Sequence, residues 1–259
     1  ARREALQAEM SRAAAAETLR QWGEWILAYA TTLPAGADEL VADTGAETLR
    51  IPLDPTLSAV ANAQAYFARY HKARRALEKL PGLLAEVERD LAYLDQLQAD
   101  LNLADNAGHL EDIRQAIVAA GLVRPPGERR SPRPPASQPL RLRSRDGFEV
   151  IIGRHALQNE RVTWELAGPD DLWLHTERVP GAHVIIRTHG RPVPSTTLEE
   201  AAGWAAYYSA ARHDGNVPVL YTQRRHVRRV PGGRPGQVRV LQARSLMATP
   251  KPPATTAGT

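Results

Sequence analysis

The stretch "DLWLHTERVPGAHVII", Asp171 to Ile186, decides the reading of the C-terminal half of this chain. Strand side chains alternate with a period of two, so Trp173 and His175 share one face of an extended run. Pro180-Gly181 breaks that run, and His183-Val184-Ile185-Ile186 opens a second one. The two histidines therefore stand at neighbouring strand ends beside a turn. The spacing admits two roles for them, a ligand-facing surface or hydrogen-bonded packing. Trp173 reads as core before it reads as a stacking platform.

Working outward, the pattern predicts further strands over 148–153 and 161–166, then a helix over 197–211 with Thr196 or Thr197 as its cap. "VPVLYT" and "QVRVLQA" follow as strands, joined by the basic stretch 224–229. That order gives a compact α+β domain over 141–250. Upstream, residues 1–30 read as one helix, with Leu6, Met10, Leu19, Trp22, Ile26 and Tyr29 at helical spacing. "ELVA" and "TLRIPLD" flank Asp43-Thr44-Gly45 as a small β-hairpin, and Ser58 is placed to cap the helix after it. From 62 to 104, Leu77, Leu80, Leu84, Val87, Leu91, Leu94 and Leu101 keep a 3-4 spacing, the pattern of a coiled-coil seam. Its expected partner is the 1–30 helix, packed antiparallel. Pro81-Gly82 interrupts the seam as either a kink or the tip of a helical hairpin. A short helix over 110–120 ends at Gly121. The expected organisation is thus a coiled-coil region over 1–121, a Pro/Arg-rich linker over 122–140, the α+β domain over 141–250 and a disordered tail over 251–259.

The 259 residues contain no cysteine, which excludes disulfide scaffolds, thiolate metal sites and cysteine nucleophiles. No run of about 18 apolar residues is present, so no membrane partner is expected. The first residues lack the basic start and apolar core of a secretory signal. They begin inside a helical pattern without Met, which reads as a piece of a longer protein. Cytoplasmic localisation is the expectation. The net charge of +4 conceals an asymmetry. Residues 1–121 carry 12 basic and 18 acidic side chains, a net of −6, whereas 141–259 carry 17 and 10, a net of +7. Arginine supplies nearly all of the positive charge, and its planar fork suits phosphate. A polyanion partner for the C-terminal domain follows.

Catalytic patterns are missing. There is no HExxH, no Gly-rich phosphate loop and no G-x-S-x-G elbow, and two histidines eight residues apart do not have zinc spacing. No catalytic residue, metal or cofactor is expected, and the chain is not read as an enzyme. An RNA-processing enzyme using His175 and His183 is kept as an alternative. The residues singled out for RNA binding are Arg154 and Asn159 in "GRHALQNE", the pair His175 and His183, and Arg224, Arg225, His226, Arg228 and Arg229 in "YTQRRHVRRVPGGRPGQ". If 224–230 is extended, Arg224, His226 and Arg228 face one side, with Arg225 and Arg229 on the other.

Taken in order, "DGFEVIIGRHALQNERVT", "DLWLHTERVPGAHVII", "LEEAAGWAAYYSAAR" and "VPVLYTQRRHVRRVPGGRPGQV" resemble the NFACT-R domain. "LDPTLSAVANAQAYFARYHKARRAL" with "LAYLDQL" and "LEDIRQAI" is similar to the middle region of the same family, the NFACT proteins. The resemblance implies a ribosome quality-control factor that binds stalled large ribosomal subunits and tRNA, alanyl-tRNA in bacteria, and promotes mRNA-independent alanine tailing of nascent chains. It also implies that the family's NFACT-N domain is absent here. Members have carried the label fibronectin-binding protein, which makes a surface adhesin a further alternative. Two positions depart from the family pattern: Ala182 stands where a serine is usual, and Leu220 where an aspartate is frequent.

Overall fold

A computed structural model describes residues 1–43, 48–124 and 136–253. The turn at Thr44-Gly45, most of the Pro/Arg-rich segment and the end of the tail lie outside the described residues. The chain forms two compact units, 1–88 and 89–259.

In the first unit the expected single helix is two, α1 (Arg2–Ala13) and α2 (Ala16–Ala28). Only Ala13 of α1 is buried, so packing does not hold the helix axis continuous through the alanines. α2 does have an inward face. Ile26 joins Leu40 and Ala42 of β1 (Glu39–Asp43), Ile51 of β2 (Thr48–Pro52), and Ala63 and Tyr66 of α3 (Ala59–Leu103). The two strands pair antiparallel as the hairpin pattern predicts. Trp22 meets Tyr66 edge-on at 5.5 Å, and an added Cβ at Gly23 would lie 2.8 Å from the Phe67 ring, which would have to shift. Ser58 Oγ accepts from Ala61 N at 3.2 Å and starts α3 as expected.

α3 runs through Pro81 as one 45-residue helix, so Pro81-Gly82 is not a hairpin tip. The anticipated seam is not the buried face of its second half. Leu91, Leu94 and Leu101 are 40–46% exposed, whereas Tyr93, Leu97 and Asp100 are buried. Those three recur at i, i+4 and i+7, one face of a helix. They turn toward Ile113 and Ala116 of α4 (Ala107–Ala119) and Ala156 of α5 (Ala156–Arg161). The boundary between the compact units accordingly falls within α3, not in the expected 122–140 linker. The end of α3 and all of α4 belong with the C-terminal unit because their apolar face is completed there.

That unit centres on a six-stranded antiparallel sheet. Its strands are β3 (Leu140–Arg143), β4 (Glu149–Gly153), β5 (Leu172–Thr176), β6 (His183–Ile186), β7 (Val217–Gln223) and β10 (Arg244–Ala248), in the order β10-β7-β5-β6-β4-β3. β8 (Val227–Arg229) and β9 (Val238–Val240) form a separate ribbon. Period-two alternation divides the sheet into two faces. Val150, Ile152, Leu174, Val184 and Ile186 pack on α6 (Ser195–Tyr207), whose Ala201, Ala202, Ala205 and Ala206 let it lie close to the strands. Ile151, Trp173 and Ile185 face the other way, onto Val162 and Val227. Helix and sheet are therefore mixed as the α+β reading expects. Three details differ from the sequence pattern. Residues 161–166 are not a strand but the end of α5 followed by a π-helical turn (Val162–Leu166). β3 and β10 were not anticipated. α6 starts at Ser195 without a side-chain cap, and Thr196 and Thr197 instead bind Asp146, each at 2.6 Å.

Candidate nucleic-acid interface

Trp173 and His175 share one face of the sheet, as the alternation predicts, and His183 joins them there, but that face is covered. Trp173 is 1% and His183 3% exposed. His175 stacks on Trp173 at 5.7 Å and meets His183 edge-on at 5.2 Å. His183 Nδ1 lies 2.8 Å from Thr163 Oγ1, on the π-helical turn. Removal from water disfavours the imidazolium, holding His175 down to about 4 and His183 well below its ordinary range. Neutral, enclosed and partnered, His183 does not face RNA. His175 keeps partial exposure, but its ring is committed to the same stack. His183→Ala is expected to lower stability by about 2 kcal/mol, since it opens a cavity and strands the Thr163 hydroxyl. Chemical denaturation checks this, and an unchanged midpoint would disprove it.

Asn159 is likewise interior. Its amide donates to Gly181 O at 3.0 Å and its Oδ1 accepts from His183 N at 2.9 Å, clamping the turn between β5 and β6. An added Cβ at Gly153 would come within 2.8 Å of Asn159 N, which explains glycine at the end of β4. Arg154 is engaged with Asp105 at 2.8 Å and with His109 Nε2 at 2.9 Å. Of these two polar residues, expected to contact RNA, Asn159 instead ties α5 to the start of β6, and Arg154 ties the β4–α5 connection to α4.

The basic stretch is different. Arg224 N donates to Asp171 O at 2.9 Å and Arg225 N to Pro169 O at 3.0 Å, forcing a 3-10 turn over Arg224–His226. The turn cancels the expected alternation of faces. Arg224 and Arg229, predicted on opposite sides, both lie over the Trp164 ring with each guanidinium carbon 4.7 Å from its centroid. Trp164 is fixed in turn by its Nε1 donating to Glu160 at 3.2 Å, and Glu160 also binds Arg229 and accepts from Gly236 N at 3.1 Å. Partial burial, then repulsion from Arg228 and Arg229, pulls the Arg224 pKa down. Crowded cations of this kind are relieved by an anion. Arg225, Arg228 and Arg229 are exposed, with Arg225 touching Asp170 and Arg228 touching backbone carbonyls. His226 lines a cleft of about 420 Å³ with Tyr221, Gln223, Gln242 and Arg244. Trp164 was missed because 161–166 looks like a strand. An arginine stretch with no aromatic inside it is the signal that a stacking partner comes from elsewhere.

Among the described residues no group of three or more His, Cys, Asp or Glu is placed to hold a metal ion, and no helix is long and apolar enough to cross a membrane. An antiparallel sheet with an arginine-aromatic cluster beside it defines a polyanion-binding class of module.

Comparison with known proteins makes this specific. The family model described as NFACT N-terminal and middle domains matches residues 1–135, and that of the NFACT protein RNA binding domain matches residues 139–240. The chain belongs to the NFACT family. The expectation that NFACT-N is absent is not borne out, because the first of these models takes in the N-terminal domain. "Rqc2 homolog RqcH" of Bacillus subtilis is 34% identical over 210 residues, 80% of this chain and 36% of that protein. The protein of the same name from Streptococcus suis is 31% identical over 246 residues, 93% of this chain and 44% of its own length. The chain thus spans 36–44% of these relatives. The solved structure of the C-terminal part of the fibronectin/fibrinogen-binding protein of Streptococcus suis superposes with a TM-score of 0.75 at 26% identity, covering 96% of this chain and 87% of that one.

Proposed function

We propose that this chain is the RNA-contacting part of a ribosome quality-control factor, and that it acts by binding, not by catalysis. The observation that carries this reading is the pair of guanidinium groups stacked on Trp164, with Arg225 and Arg228 exposed beside them. Arg224 Nε donates to Thr163 O at 2.9 Å and Arg229 is held by Glu160, which fixes both guanidinium groups on the ring; in this reading their remaining N–H groups bind phosphate. In this reading the whole protein binds stalled large ribosomal subunits and tRNA in the cytoplasm, alanyl-tRNA by family likeness, and supports mRNA-independent alanine tailing. The exposed leucines of α3 at 91, 94 and 101 serve as the seam of a coiled-coil arm completed by another helix. Catalysis through His175 and His183 is not part of this reading, since His183 is enclosed and the His175 ring is committed to the stack on Trp173.

Replacing Arg224, Arg225, Arg228 and Arg229 together by Ala is expected to weaken binding to a structured RNA. It should also flatten log affinity against log salt by about two to four units, since each neutralised phosphate contributes a little under one unit. Equal affinity and slope, with unchanged circular dichroism, would remove the stretch from the interface. One observation favours a second reading, the name of the similar Streptococcus suis structure, which points to fibronectin. Retention of the chain on immobilised fibronectin, undiminished in the quadruple variant, is the result that would support it.

A further inference from the structure

The strand register brings several strand ends level at one rim of the sheet. Arg143 ends β3 opposite Glu149 at the start of β4, Ile186 ends β6 opposite Val150 and Leu172, and Leu172 pairs with Gln223 at the end of β7. The Arg224–Arg229 stretch leaves this end near β7. At the β3 edge the same end carries a second cationic feature, a cleft of about 620 Å³ lined by Arg141, Arg143, Glu149, His189 and Arg191. Its one carboxylate, Glu149, is already held by Arg141. Arg143 and Arg191 have no carboxylate partner among the described residues, and Arg191 lies 4.2 Å over the Phe148 ring, the arrangement Arg224 and Arg229 make with Trp164.

The loop that supplies His189 is pre-organised. His189 is exposed and sits in the left-handed region at φ 48°, followed by Gly190 at 77°. A non-glycine residue held there is strained and persists only if its surroundings impose it. Here Thr188 N donates to buried Asp171 Oδ1 at 2.8 Å, and Arg191 N closes a turn on Thr188 O at 3.0 Å. The carbonyl of the same Asp171 receives Arg224 N at 2.9 Å. One residue thus fixes both cationic loops. Four strand spacings separate β3 from β7, about 20 Å at ~4.8 Å each.

We propose that the Arg143–His189–Arg191 cleft is a second phosphate-backbone site, and that one RNA crosses this end of the sheet from the Arg224–Arg229 stretch to this cleft. The inference rests on the RNA-binding reading and adds a second contact to it. The test titrates the full 259-residue chain with a fluorescent RNA hairpin at several salt concentrations. It compares Arg143→Ala/Arg191→Ala, the quadruple variant of the basic stretch, and both sets combined. Inorganic phosphate and poly-glutamate serve as competitors. The expected result is a roughly three- to ten-fold loss for the double variant near 0.1 M salt, a slope lower by about two units, and a further loss in the combined variant. Millimolar phosphate should compete poorly. Loss in the quadruple variant with none in the double variant would overturn the cleft and leave the RNA-binding reading standing. No RNA binding by the unaltered chain would overturn both. Poly-glutamate binding that needs Arg143 and Arg191, without an effect of those residues on RNA, would assign the cleft to acidic protein segments and sink the proposal.

Discussion

Lowering the pH from 7 to about 4.5 is expected to reduce the unfolding free energy of the C-terminal unit by several kcal/mol. Its cause is a set of histidines that are buried neutral. His155, 2% exposed, is held down to about 4 by burial, which outweighs the attraction of Asp112 and acts with the nearby His109 and Arg154. Burial also holds His175 down to about 4, and His183 lower, with His175 as its second cause. A base whose folded pKa is depressed contributes stability above its unfolded value near 6.5, and that contribution disappears as the pH falls toward the folded value. The loss for His155 approaches about 3 kcal/mol across the window from 6.5 to 4. One group opposes it. Asp100, buried where it accepts from Ala156 N at 2.8 Å and Gln96 at 2.6 Å, is raised to about 7, so it gains stability as the pH falls from about 7 toward 4. Three histidines against one carboxylate leave acid destabilisation as the net sign. Urea titrations at pH 7, 6, 5 and 4.5 measure it. His155→Asn should make the slope shallower by up to about 1.4 kcal/mol per pH unit. A flat or rising profile would show that these rings are hydrated.

The histidines also show how far the sequence can be read. Alternation along 171–175 placed Trp173 and His175 on one face, and the strand register adds His183 beside them. What alternation does not carry is whether a face is covered. The cover comes from Val162 and Val227, in segments whose own patterns mislead. "RVTWEL" alternates like a strand, yet Ala167 N bonds to Val162 O at 3.0 Å and winds the segment into a π turn that delivers Thr163 to His183. Tertiary pairing overrides local preference there. The basic stretch fails for the same reason, because its alternation is cancelled by two backbone bonds to Pro169 and Asp171. Its charge was legible, and its geometry was not. In α3 the leucine spacing was genuine, but the face that found a partner was Tyr93, Leu97 and Asp100, whose neighbours lie far along the chain.

That last contact yields the other large effect. A chain beginning at Leu140 is expected to be less stable than one beginning at Arg89 by at least about 3 kcal/mol, with a melting temperature lower by roughly 10 °C or more. The proline-rich composition of 122–140 argues the reverse, an independently folded domain on its C-terminal side. The contacts argue against that. Tyr93, Leu97, Ile113 and Ala116 close the apolar cluster around Ala156. Asp100 supplies the acceptor for Ala156 N, the first amide of α5, at 2.8 Å, which no residue after 140 replaces. Gln96 clasps both backbone groups of Gly181, accepting at 3.2 Å and donating at 3.4 Å. Ser137 stands between Asp112 and His155, receiving Gln158 at 2.7 Å and touching His155 Nε2 at 2.9 Å. Without these elements the side of α5 that holds His155 and Gln158 opens to water. α5 also leads into the π turn, so Thr163 and Trp164 loosen with it, and with them the platform under Arg224 and Arg229. The shorter chain should therefore bind RNA more weakly at the melting-compromised site while keeping all of its arginines in the basic stretch. Restoring residues 89–139 should recover stability and binding together. Equal melting temperatures for the two chains would mean that the sheet and α6 alone define the fold.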